Sequence, residues 1–374
     1  MRTLHLWAGL ILAVPFVLLG ISGSILMFQP EAPRWSQPLA SAIGEQQSLE
    51  AIIGAARASL PGSSATRITL PERPGEPATI RFRSNDAQRG DNDRGHLVFV
   101  DPVSLQILGQ IERPRAPRIF NTMRTLHATL YVRTISDRSF VGWMGIALTL
   151  MCISGIVLWW PKNGKWRRAF GVSQGARGFR LFHDLHSAVG FWSLIVLLVV
   201  SISGLYLAFP RTFRDTVGMV MPLGQFFGEP SITDTPPADF SSDLDQAVAR
   251  TLSLVPQSKL RDIQLAIRPG GVMVITLSPR NLGAGALQIT VSSDPETGQV
   301  VYIDDPRVYA LGERVVHWQR WLHSGLGLGI IWRVLVFISG FLPLFFAITG
   351  IWMWILKRSE SRKRRATSLP APAE

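Results

Sequence analysis

The sequence predicts a membrane α-helical bundle of four transmembrane helices, pseudo-twofold by internal duplication, carrying two small α+β domains outside the membrane. Three observations predict it: four long apolar runs, a Lys and Arg distribution that separates two short polar stretches from two long ones, and a match between the first half of the chain and the second.

A helix needs roughly 20 mainly apolar residues to cross a hydrocarbon core about 30 Å thick. Leu4–Phe28, Phe140–Trp160, Ser187–Phe209 and Ile330–Leu356 meet that length. The two long polar stretches, 31–138 and 210–322, are each long enough to bury a core of their own. The expected order is transmembrane helix 1 over 1–29, a first outer domain over 30–120, and an interfacial helix with transmembrane helix 2 over 121–160. A basic loop over 161–177 leads to transmembrane helix 3 over 178–209 and a second outer domain over 210–313. An interfacial helix with transmembrane helix 4 over 314–356 and a basic tail over 357–374 complete the chain.

The 374 residues are 47% hydrophobic and carry a formal charge of +12. The placement of that charge argues for a lipid bilayer rather than nucleic acid as partner. Lys162, Lys165, Arg167, Arg168, Arg177 and Arg180 crowd the short loop, and Lys357, Arg358, Arg362, Lys363, Arg364 and Arg365 follow the last span. Short loops rich in Lys and Arg stay in the cytoplasm, while long ones cross largely regardless of charge. Both termini are therefore expected inside and both large stretches outside. Cys152, the single cysteine, lies within the second span, so the outer domains fold without intramolecular disulfides. Arg2 followed by an apolar run resembles a signal peptide. The run is long, however, and has no small-x-small cleavage site before Gln29-Pro30, so it reads as an uncleaved first span.

The repeat is visible throughout. His5, Gly9 and Ser22-Gly23 in the first span match His186, Gly190 and Ser203-Gly204 in the third. Leu49–Pro61 and Leu244–Pro256 each read as a short amphipathic helix. Alternating runs that read as strands follow: Arg67–Leu70, Ala78–Arg83 and Leu97–Val100 in one half, Ile263–Ile267, Val272–Leu277 and Leu287–Val291 in the other. Each third strand leads into an Asp-Pro turn, Asp101-Pro102 or Asp294-Pro295, and a fourth short strand, Ile107–Ile111 or Val300–Ile303. The polar segment Ser84–Gly95 reads as a mobile hairpin tip. Arg124-Thr125-Leu126-His127 parallels Arg320-Trp321-Leu322-His323, and Ser154-Gly155-Ile156 parallels Thr349-Gly350-Ile351. Trp159 and Trp160, like Trp352 and Trp354, fit a membrane-interface belt. Two halves of like orientation are related by an axis along the membrane normal.

Of seven histidines, the repeat pairs four: His5 with His186, and His127 with His323. His96, His183 and His317 fall opposite Ile289, Arg2 and Asn121. The first pair opens odd-numbered spans at the cytoplasmic side; the second precedes even-numbered spans at the outer side. A twofold axis brings each pair face to face, and two facing imidazoles are what a six-coordinate b-type heme needs on its iron. Two b-type hemes are therefore expected. Gly9 and Gly190, one turn after their histidines, would leave room for a flat macrocycle. The plainer reading is a set of interfacial histidines copied with the gene. A bare metal ion fits less well, because no carboxylate or cysteine cluster accompanies the pairs. Arg124 and Arg320 stand three residues before the outer histidines and suit heme propionates, as Arg2 does inside; the alternative for each is a solvated or headgroup-bound arginine. His127 is separated from its span by a stretch containing Arg133, Asp137 and Arg138, which puts it on an interfacial helix. Pro15 and Pro343 read as kinks, and Gly325-Leu326-Gly327-Leu328-Gly329 lacks the strand-turn-helix setting of a dinucleotide fingerprint.

Leu4-His5-Leu6-Trp7-Ala8-Gly9, Asp184-Leu185-His186 through Gly190-Phe191-Trp192, and Ser154 to Pro161 resemble the motifs of PepSY-associated transmembrane proteins, and the outer repeats resemble periplasmic PepSY domains. The likeness covers the chain up to its basic tail. Within that family the chain is most similar to siderophore reductases. The resemblance implies an inner-membrane, di-heme electron carrier that reduces a ferric siderophore in the periplasm. In His183-x-x-His186 the second histidine fits the pattern, with His183 as competitor. No flavin or nicotinamide site is present, so the electron donor is expected to be quinol or a cytosolic reductase. Two other classes stay open, a permease whose histidines line a pathway and a regulator that binds a partner protein. Homodimerisation is open as well.

Overall fold

The computed structural model describes residues 1–35, 37–84, 95–112, 117–132, 139–161, 166–224, 243–265, 271–279, 288–295 and 297–367. Most of the expected hairpin tip at 84–95, Arg133, Asp137, Arg138, Lys162, Lys165, Ile267 and Leu287 lie outside the described residues, as do several basic side chains of the loop and tail. The chain divides into two units. One comprises Met1–Gln29, Ile119–Val220 and Val315–Glu374; the other comprises Pro30–Arg118 and Met221–Arg314.

The first unit is helical. Its long helices are α1 (Arg2–Leu26), α4 (Ser139–Trp159), α6 (Gly178–Ala208) and the pair α10 (Gly329–Ser339) and α11 (Leu342–Thr367). The described residues thus contain four helical spans long and apolar enough to cross a membrane. Shorter helices α3 (Arg118–Thr129) and α9 (Leu311–His323) precede the second and fourth spans. α1 packs on α4 and α11, and α6 packs on the same two helices. α1 and α6 therefore occupy one diagonal of a four-helix ring, α4 and α11 the other.

The two prolines behave differently. α1 runs unbroken through Pro15. The fourth span breaks at Gly340-Phe341, just before Pro343, which has no N–H to give and whose ring crowds the carbonyl four residues back. The break is held by α1: Ser24 Oγ donates to Phe337 O at 2.8 Å. Gly20 and Gly340 meet at this crossing so closely that a methyl on either would strike the other's backbone. The Gly325–Gly329 run is the turn from α9 into α10; Gly325 and Gly329 take left-handed φ angles of 75° and 77°.

The second unit is an antiparallel sheet of eight strands in the order β4-β3-β2-β1-β5-β6-β7-β8. The strands are β1 (Ser63–Thr69), β2 (Ala78–Ser84), β3 (His96–Val100), β4 (Ile107–Glu112), β5 (Ser258–Gln264), β6 (Met273–Pro279), β7 (Ile289–Ser293) and β8 (Val300–Asp304). Both expected sets of four strands are present. They are joined edge to edge through β1 and β5, which also removes two exposed strand edges. The joint is symmetric: Ile68 pairs with Ile263, flanked by Arg67 with Gln264 and Thr69 with Asp262. β1 and β5 begin several residues before the expected Arg67 and Ile263, because the preceding turns are tight. Gly62 and Gln257 close them with positive φ.

Helices α2 (Leu49–Ala58) and α8 (Leu244–Leu254) pack on the same core as the inward faces of the strands, among them Ile52, Ile68, Ile80, Leu244, Ile263 and Ile275. Both are capped as their sequences require. Ser48 Oγ accepts from Ala51 N, and Asp243 accepts from Gln246 N. Asp245 of α8 also accepts from Leu49 N and Glu50 N at the start of α2, tying the two helices together.

Candidate functional site

The four repeat-paired histidines all lie in the helical unit, and each is held through Nδ1. His5, on the first turn of α1, places Nδ1 2.7 Å from Ser154 Oγ of α4. His186, on α6, places Nδ1 2.8 Å from Thr349 Oγ1 of α11. Each hydroxyl also reaches a carbonyl of its own helix, Ser154 to Met151 O at 3.1 Å and Thr349 to Phe345 O at 2.9 Å. With its proton on that carbonyl, each hydroxyl turns a lone pair to the imidazole, the arrangement in which the histidine proton is on Nδ1.

His127 and His323 sit at the ends of α3 and α9. His127 Nδ1 lies 2.9 Å from Leu19 O and 3.2 Å from Ser22 Oγ of α1. His323 Nδ1 lies 3.0 Å from Val200 O and 3.3 Å from Ser203 Oγ of α6. Ser22 donates to Leu18 O at 2.6 Å, and Ser203 to Val199 O at 2.6 Å. A carbonyl has no proton to give, so here too the imidazole proton resides on Nδ1. Glycine makes the approach feasible: a Cβ on Gly23 would stand 2.8 Å from His127 Cε1, and one on Gly204 3.2 Å from His323 Cε1. Burial pushes both imidazoles below the ordinary histidine range. For His323 the value falls to about 4, with His127 adding repulsion, so both are neutral near pH 7.

His127 and His323 therefore present a neutral imidazole with Nδ1–H donated to a carbonyl, His5 and His186 are anchored through Nδ1 on a hydroxyl, and among the described residues none hydrogen-bonds Nε2 of any of the four. Metal-bound histidines are held in this way, the acceptor behind the ring fixing tautomer and ring direction. The His127 and His323 rings lie 6.0 Å apart, centroid to centroid, at 52°. Two imidazoles sharing one metal at about 2 Å from each Nε2 have centroids roughly 6 Å apart, so the spacing fits an axial pair. His5 and His186 occupy the diagonal helices α1 and α6. On each of these helices the two levels are separated by the segment from His5 to Leu19 or from His186 to Val200, about 21 Å of helical rise. The His127/His323 pair thus fits a bis-histidine heme, and His5 and His186, each anchored through Nδ1 on diagonal helices, offer a second set of ligands at the other level.

The remaining candidates fall elsewhere. His183 is exposed and bonded to Asp184 at 3.4 Å, whereas His186 points to α11; the geometry favours His186 of the two. His96 begins β3 in the sheet unit, and His317 accepts from Trp321 Nε1 at 3.2 Å. Arg124 and Arg320 are exposed on α3 and α9, as is Arg2 on α1. Gly9 and Gly190 do not open onto empty space: Met151 and Phe346 stand in ordinary contact with the position a Cβ would take. Of the tryptophans assigned to an interface belt, Trp160 and Trp352 are exposed, and Trp354 lies 5.3 Å from the Arg358 guanidinium. Trp159 instead stacks on Phe191 at 4.3 Å and donates to Ala169 O. Sequence reasoning did not assign Ser22, Ser203, Ser154 or Thr349 a role, although all four lie in the repeat motifs.

Fold and site together define a multi-span helical membrane protein with paired imidazoles at two levels and a sheet unit formed by the segments between spans. Residues 2–357 match the family model described as the PepSY-associated TM region, and the chain belongs to that family. Among curated proteins, none matches the chain significantly.

Proposed function

We propose that the protein is an internally duplicated, di-heme b oxidoreductase of the bacterial inner membrane. It passes electrons from quinol or a cytosolic reductase to a ferric siderophore in the periplasm. Both termini lie in the cytoplasm and the PepSY-like sheet unit is periplasmic, because the short segments carry the Lys and Arg clusters. His5 and His186 hold the inner heme, and His127 and His323 the outer. The observation that carries this reading is the common state of the four imidazoles, each with Nδ1 anchored and Nε2 free.

Bound there, two hemes supply one-electron carriers at the two faces of the membrane. The protein's part is to fix four ligands without a charge change, since neutral imidazoles need no proton removed before they bind. Arg124 and Arg320, exposed one turn before the outer histidines, are suited to propionate carboxylates. The substrate is Fe(III) in hard oxygen ligands. One electron converts it to Fe(II), which such ligands hold more weakly, and iron is released.

The test is reoxidation. The purified protein is reduced with dithionite, freed of excess and mixed anaerobically with a ferric siderophore. The heme bands should reoxidise with a matching yield of Fe(II) in a ferrous chelator. Reoxidation by quinone but by no ferric chelate would remove the siderophore from the proposal.

A further inference from the structure

The two levels of histidines are not supported alike. At the His127/His323 level each Nδ1–H faces a backbone carbonyl, with a serine hydroxyl slightly farther off. At the His5/His186 level each Nδ1, among the described residues, meets one side-chain hydroxyl, Ser154 or Thr349. The same arrangement recurs in both halves of the chain, so the difference belongs to the level and not to one helix.

A peptide carbonyl is a stronger hydrogen-bond acceptor than an aliphatic hydroxyl, and it cannot rotate away. The more strongly an acceptor draws on Nδ1–H, the more electron density Nε2 offers a metal, and the more the oxidised metal is favoured. Carbonyls of their own helices stand ready for the hydroxyl protons, Phe345 O and Phe346 O for Thr349 and Met151 O for Ser154. A proton placed there leaves a lone pair for the imidazole.

Resting on the heme reading above, we infer that Ser154 and Thr349 are positioning residues of the inner pair. They fix the Nδ1–H tautomer, and as weaker acceptors than the carbonyls of Leu19 and Val200 they set the inner centre at the higher reduction potential. The outer centre is then the stronger reductant of the two; the step to it from the inner centre runs uphill in potential and is drawn forward as Fe(III) takes the electron.

The experiment is a potentiometric titration of the full-length protein and of Ser154→Ala, Thr349→Val, Ser154→Thr and Thr349→Ser, with His5→Ala marking which wave is the inner one. The unmodified protein should show two waves, the higher of them lost in His5→Ala. Ser154→Ala and Thr349→Val should move that wave further up and weaken heme retention there by roughly 10- to 100-fold. Ser154→Thr and Thr349→Ser, which keep the hydroxyl, should restore both. The outer wave, read in the same samples, should stay in place and report that the bundle is folded. If the unmodified protein holds two hemes and Ser154→Ala and Thr349→Val leave the higher wave and its retention unchanged, this inference fails while the heme reading stands. If His5→Ala removes the lower wave, the assigned order of potentials is wrong. Fewer than two hemes in the unmodified protein overturns both.

Discussion

The helical unit and the sheet unit both pair their two halves, but they preserve different residues. In the sheet the matching positions are apolar and buried: Ile68 with Ile263, Ile80 with Ile275, Leu49 with Leu244. On the outward face the halves diverge. Arg67 stands where the other half has Asp262, and the two form an ion pair at 3.3 Å across the β1–β5 joint. In the bundle the reverse holds. Apolar residues differ freely, while the polar ones recur: His5 and His186 on Ser154 and Thr349, His127 and His323 beside Ser22 and Ser203. Polar groups inside apolar helices are costly unless they are partnered, so a hydrogen-bonded set kept in both halves marks chemistry, whereas the sheet's set marks packing.

The sharpest way to break that contrast is to remove one histidine. His5→Ala or His186→Ala should abolish the inner heme, about half the heme absorbance, while His96→Ala and His317→Ala should leave the spectrum intact. Loss of a heme in His317→Ala with His323→Ala harmless would dissolve the pairing on which the contrast rests.

A smaller effect tests the sheet, where symmetry should be a matter of packing only. Buried Asp101 accepts four backbone N–H groups, from Ser41 and Ala42 on one oxygen and Val103 and Ser104 on the other. Burial alone would raise its carboxyl pKa. The four donors outweigh that and hold it below the ordinary range, so its contribution is present above the usual carboxylate pKa and is lost as pH falls through the depressed one. Its counterpart Asp294, less buried, receives Thr297 N at 3.2 Å. Asp101→Asn sets an amide NH₂ against two backbone donors and should lower stability at pH 7 by about 1–3 kcal/mol in denaturant titration. Asp101→Asn should not change heme content. A change of heme spectrum in Asp101→Asn would show that the sheet position carries more than packing.

Much of this was legible in the sequence, and the rest was hidden for physical reasons. The spans stand out because lipid demands long apolar runs, and the histidine pairs stand out because the repeat selects four of seven. The partners of those histidines do not stand out. Serine and threonine are common within membrane helices, and Ser154 and Thr349 are not even the same residue. Ser22-Gly23 was visible as a repeated motif, but its role requires knowing that His127, far along the chain, packs on it. The joining of the two sets of strands through β1 and β5 leaves no mark either, since an edge strand alternates like any other. Pro343 announced a disturbance in the fourth span; only the Ser24–Phe337 bond and the Gly20–Gly340 crossing explain why the helix breaks where it does.

The most direct measurement is heme stoichiometry. A pyridine hemochrome assay on the purified full-length protein, set against its protein concentration, should give two b-type hemes per chain, with low-spin spectra expected of bis-histidine ligation. One heme per chain would contradict the assignment of a heme to each level, and none would remove the chemistry assigned to all four histidines.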